Sequence, residues 1–133
     1  MDGVISEFDP VIWPRKLFVV VGGDIDFLQS NFCKKDGTAY AMEQEDKDTS
    51  NAVTFLEVMR CDTGDFGELI WLHTIEKATL PIIAHECMHA CNAILAASDV
   101  KLDSDNDETQ AYTYQWVFEQ TIVAFEKSKV SQS

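Results

Sequence analysis

His85-Glu86-Cys87-Met88-His89 is the segment of this chain whose residue types and spacing speak most directly of chemistry. Residues four apart sit one turn apart on the same face of an α-helix, so both imidazoles can reach one metal ion. Neutral imidazole is a common zinc ligand, and a catalytic zinc takes three protein ligands and leaves one position for water. Glu86 is rotated about 100° from His85, which lets it reach a metal-bound water without ligating the metal. The spacing therefore predicts one zinc ion per chain, held by His85 and His89, with Glu86 as general base. The alternative is a pair of core histidines satisfied by hydrogen bonds. Ile83, Ala84, Met88 and Ala90 surround them in sequence and supply no such partners, and unpartnered polar groups are costly to bury.

A third ligand has to come from elsewhere. A third histidine six residues after His89, preceded by a glycine, is one known extension, but Asn92 and Leu95 occupy those positions. Glu108 is the better candidate, because it stands three residues before Ala111 and extends that helix's apolar stripe. Asp103, Asp105 and Asp107 are the alternatives for the same position. A capping box, with Asp105 as cap and Glu108 three residues on, is the competing role. Cys91 is two residues past His89, about 200° around the helix, and points away. An oxyanion would need a donor besides the metal. Tyr112 is the first candidate, followed by Tyr114 and His73, although core packing of the aromatic ring is the better account of each taken alone. The run 103–107 also resembles the start of a calcium loop, but its sixth position is Glu108 instead of Gly and its twelfth is Tyr114 instead of Glu.

Two long helices and a small sheet are expected to position these residues. Strands are predicted over 16–21, 52–59 and 68–75, with a short one over 38–42. The last two long strands should form an antiparallel hairpin across the turn-rich 62–67. In the strand over 68–75, alternation puts Leu69, Trp71, His73 and Ile75 on one half-buried face. Asp24 or Asp26 should cap a short helix reaching to about residue 35. An exposed acidic loop is expected over 43–51. The segment 78–97 is apolar on nearly every face and reads as a buried helix, capped by Thr79 with Pro81 in its first turn. A last helix over 107–127 should turn Ala111, Tyr114, Phe118, Ile122 and Phe125 inward. Strands followed by two long helices make the class α+β: a mostly antiparallel twisted sheet packed on the motif helix, within a single domain over 1–133.

Composition bounds the partners. The chain has 133 residues, 46% of them hydrophobic, and 23 Asp and Glu against 10 Lys and Arg, a net charge of −13. That is enough for one core. Such a charge repels phosphate backbones, so nucleic acid is not an expected partner. No apolar run of membrane-spanning length is evident, and no membrane partner is expected. The first ten residues carry three acidic groups and no base, so no signal peptide is read there and a cytoplasmic location is expected. The cysteines Cys33, Cys61, Cys87 and Cys91 form no C-x-x-C pair and read as free thiols.

The motif followed by a Glu on the next helix resembles the gluzincin type of zinc metallopeptidase. Residues 9–17 (D-P-V-I-W-P-R-K-L), with A-H-E-C-M-H and D-E-T-Q-A-Y, also resemble small zinc metallopeptidases of tailed bacteriophages and prophages. The resemblance implies His85, His89 and Glu108 as zinc ligands and Glu86 as base. It implies a zincin-like fold, a peptide or protein substrate, and, for a phage protein, the host cytoplasm. In that fold the edge strand beside the metal helix binds extended peptide, and 68–75 is the expected strand. The acidic run at 103, 105 and 107 predicts a preference for basic substrates. The alternative function is a non-catalytic, zinc-stabilised structural or binding protein.

Overall fold

The computed structural model describes residues 2–40, 51–105 and 107–131. Five strands form one curled, mixed sheet: β1 (Gly3–Phe8), β2 (Lys16–Gly22), β3 (Phe32–Cys33), β4 (Ala52–Arg60) and β5 (Phe66–Leu72). Among the described residues there are three helices, α1 (Ile25–Asn31), α2 (Leu80–Ala97) and α3 (Glu108–Ser131). The strand order is β1-β2-β5-β4-β3. β2 and β5 run parallel, and the other three pairings are antiparallel. The class is α+β, as composition and pattern indicate, and β4 and β5 form the expected hairpin.

The sheet is covered on both faces, which explains the unbroken apolar run of β2. Leu17, Val19, Val21, Ile70 and Leu72 pack with α2 and α3. Phe18, Val20, Leu69 and Trp71 pack on the opposite side with Leu28 of α1, Phe32 and Val58. β5 is therefore buried on both faces, not half-buried, and His73 and Ile75 lie beyond its end. It is also central, paired with β2 on one side and β4 on the other. The expectation of an edge strand over 68–75 is overturned: a strand inserted in parallel beside β2 has no free edge. Gly67 permits that approach, since a Cβ there would meet the Lys16 carbonyl oxygen at 1.9 Å.

α1 is capped by Asp24, whose Oδ1 accepts from the Phe27 amide at 2.9 Å, and it stops at Asn31, four residues short of expectation. The bridge between Cys33 and Ala39 falls within the short strand expected over 38–42; residues 41–42, and all of the loop expected over 43–51 except the exposed Asn51, lie outside the described residues. α2 begins after Thr79, which holds the cap position without a side-chain cap hydrogen bond. Its end is a Schellman turn: Asp99 takes φ 57°, and the Val100 and Asp99 amides reach back to the Leu95 and Ala96 carbonyls at 3.0 and 3.1 Å.

Two expectations about the helices need correction. α2 is not buried all round. Its 18 residues have a mean hydropathy of 1.2, enough for a membrane span by length and composition, but 39% of them are buried. Ile83, Cys87, Ala90, Cys91, Ile94 and Leu95 face the sheet and α3, while His85, Met88 and His89 are exposed. In α3 the buried residues are Thr113, Val117, Thr121, Ala124, Phe125 and Ser128. Tyr114, Phe118 and Ile122 flank the core, and Ala111 is exposed. Small residues line the closest approach, with Thr121 and Ser128 returning their hydroxyls to the Val117 and Ala124 carbonyls at 2.7 and 2.8 Å. Of the rings expected inward, Phe125 is buried, whereas Tyr114 and Phe118 lie beside the core.

Candidate metal centre

His85 and His89 lie on the outward flank of α2, their rings 4.9 Å apart. The Nε2 atoms are 3.2 Å apart. Two zinc–nitrogen bonds of ~2.05 Å meeting at the tetrahedral angle span about 3.3 Å, so the pair sits at the bite of one tetrahedral ion. The same separation suits a hydrogen bond between one Nε2–H and the other ring's lone pair. The His85 side chain is 68% exposed. The imidazoles thus carry no burial penalty, and the desolvation argument for a metal does not apply to them. The geometric argument does.

Glu86 occupies a different environment. Its side chain is only 12% exposed, turned toward β4, where the Thr54 hydroxyl lies 2.9 Å from Oε1 and 3.1 Å from the Glu86 carbonyl. Its second oxygen, Oε2, is 3.9 Å from His85 Nε2. One carboxylate oxygen is anchored and the other faces the imidazole pair, an orientation suited to a proton acceptor beside a metal. Thr54 was not singled out from sequence; its only signal is a hydroxyl residue within an otherwise apolar stretch of strand.

α3 closes the opposite flank. Gln110 donates to Asn92 Oδ1 at 3.1 Å and meets Met88 Sδ at 3.7 Å. The Tyr114 hydroxyl donates to the Ala84 carbonyl at 3.2 Å. Burial raises the Tyr114 pKa, which keeps the hydroxyl a donor. Tyr114, not Tyr112, is the tyrosine tied to the motif helix. Tyr112 is 68% exposed and lines a small cavity with Pro10, Ile12 and Trp13. Two residues along a helix turn the side chain by about 200°, which separates the two tyrosines. His73 is buried with its ring 4.3 Å from that of Trp71.

The carboxylates fare similarly. Glu108 is the first residue of α3 and is exposed. It stands about 200° from Gln110, and Ala111, taken in sequence as marking the inward stripe, faces outward. The Asp107 carbonyl receives the first helical bond, from the Ala111 amide at 2.9 Å, so the cap is Asp107 and no Asp105–Glu108 capping box forms. Asp103, Asp105 and Asp107 are exposed. Among the described residues no third His, Cys, Asp or Glu joins the histidine pair in a metal-holding group. Cys87 and Cys91 are buried, and burial pushes both thiols up to about 11. Compared with protein-family models, curated proteins and solved structures, the chain matches none.

Proposed function

We propose that the protein is a zinc-dependent hydrolase, and that it is a small metallopeptidase of zincin-like fold and phage type. The single observation carrying this reading is the 3.2 Å imidazole bite on an open helix flank beside a carboxylate anchored by Thr54. His85 and His89 would hold the metal, with Glu108 or a neighbouring carboxylate of 103–107 as third ligand. When bound, zinc lowers the pKa of water to near 7 and polarises a carbonyl. Glu86 takes the proton of the attacking water and returns it to the leaving amine. Thr54 holds Glu86 to one rotamer, and β4 takes the role of the strand beside the metal helix. Tyr114 would serve as oxyanion donor by turning its hydroxyl away from the Ala84 carbonyl.

Glu86→Gln tests the reading, with zinc content, thermal stability and peptide turnover measured together. One equivalent of zinc and an unchanged melting temperature are expected, with turnover down ~10²–10⁴-fold. Equal cleavage by this variant, or a wild type that binds no zinc, would overturn the proposal.

A further inference from the structure

At the C-terminal end of α2, on the β4 side, an open cavity of about 240 Å³ is lined by Arg15, Glu57, Glu68, Ala93, Ala96 and Ala97. It is smaller than the ~300–1,000 Å³ of pockets for drug-sized molecules, which sizes it for a single side chain. Two carboxylates share one cation here. Arg15 Nη1 lies 2.9 Å from Glu68 Oε1, and Nη2 lies 3.3 Å from Glu57 Oε1. The Glu68 side chain is 1% exposed, yet its Oε2 accepts no hydrogen bond from any described residue. A buried carboxylate oxygen without a donor is costly. Arg15 faces two carboxylates in this cavity, and Lys34 and Lys35 line the adjoining pocket on the other side of Arg15 and Glu57.

The backbone here is built to hold that arrangement. The β4–β5 register shifts between Phe55 and Val58, and the residue in the bulge, Glu57, has φ 58°. A non-glycine residue in the left-handed region stores strain, and such strain collects at functional positions. The bulge aims Glu57 at the Arg15 guanidinium, and its side chain stays 69% exposed, within reach of a ligand. Three alanines on α2 leave the floor open.

We infer that this cavity is a subsite for a guanidinium or ammonium side chain, bound over the alanine floor to the exposed Glu57 carboxylate and to the unpaired Glu68 Oε2, beside the Arg15 guanidinium that already bridges the two carboxylates. The inference deepens the peptidase reading and rests on it for its role as a specificity pocket. Ala93 follows Glu86 by seven residues on the same helix flank, about 10 Å along the axis. An extended peptide on β4 rises ~3.3 Å per residue. The subsite therefore receives a Lys or Arg about three residues from the scissile bond. Selectivity for basic substrates is thereby placed on Glu57 and Glu68, not on the acidic run at 103–107.

Binding is tested on the full chain with n-butylguanidinium as probe and pentanoate as the anionic control, read by amide shifts in NMR titration. Saturable shifts at Leu56, Ala93 and Ala96 are expected, with the guanidinium binding at least tenfold tighter than pentanoate. Glu57→Gln should weaken it at least tenfold, and Ala96→Leu, which fills the floor, should abolish it. Glu119→Gln, an acid elsewhere on the surface, should change nothing. The His85→Ala, His89→Ala double variant should bind the probe as wild type does, so the subsite can survive failure of the metal reading. With active protein, peptides carrying Arg three residues from the cleaved bond should be preferred, and Glu57→Gln should flatten that preference. Equal binding of pentanoate, full binding by Ala96→Leu, or no saturable shifts in wild type would each overturn the inference.

Discussion

The histidine pair and the Arg15–Glu57–Glu68 cluster lie on the same side of one sheet and are built on opposite terms. The first is exposed and formed within one helical turn. The second is largely buried and assembled from residues 42 and 53 positions apart. An exposed pair contributes little to folding, so its presence is cheap unless it does something else. A buried pair is costly to break, because the survivor is left as an uncompensated charge. The first region should thus be dispensable for stability and the second not.

The largest expected effect is on the buried side. Arg15→Met should destabilise the fold by ~3–5 kcal/mol, the usual cost of orphaning a buried charge, as read by urea unfolding. Burial already raises the Glu68 pKa against the pull of Arg15, and removing Arg15 raises it further. A raised carboxyl pKa contributes stability that is present below the unfolded value and lost as pH rises through the folded one. The variant should therefore lie close to wild type near pH 4 and be most destabilised near pH 8. A deficit independent of pH would break the comparison. His85→Ala with His89→Ala should leave metal-free stability within ~0.5 kcal/mol, as exposed substitutions do, while zinc content falls to background.

Smaller effects sharpen the contrast. Thr54→Val removes the anchor of Glu86 and should slow turnover about tenfold, a net ~1 kcal/mol hydrogen bond expressed in the barrier, with zinc retained. Glu108→Ala separates two roles of a residue that starts α3. A residue acting only on the helix dipole costs ~0.3–1 kcal/mol and leaves the metal bound; a ligand costs most of the zinc affinity, and the proposal expects the second result. The smallest effect concerns the thiols. A maleimide reagent at pH 8 should label exposed Cys61 first, with Cys87 and Cys91 reacting only on unfolding, because burial holds both at about 11.

What the sequence determined by itself was local. The pattern at 85–89 placed both imidazoles on one face through the helical repeat alone. The apolar run of β2, the β4–β5 hairpin and the bounds of α2 were equally legible, because each depends on residues close in the chain. Tertiary structure decided which flank of each element met the core. α2 is apolar almost all round, so its own pattern could not say that His85, Met88 and His89 would face out. α3 carries rings and small residues on neighbouring stripes, and only the proximity of the sheet and α2 selected Thr113, Val117, Thr121, Ala124 and Ser128 together with the ring of Phe125. That choice turned Glu108 and Tyr112 outward and brought Tyr114 to Ala84. The same holds for Glu68, which reads as the first polar residue of a strand. A parallel partner and a bulge 11 residues away are what bury it beside Arg15 and Glu57. Such contacts form between residues remote in the chain, where spacing carries no information about distance.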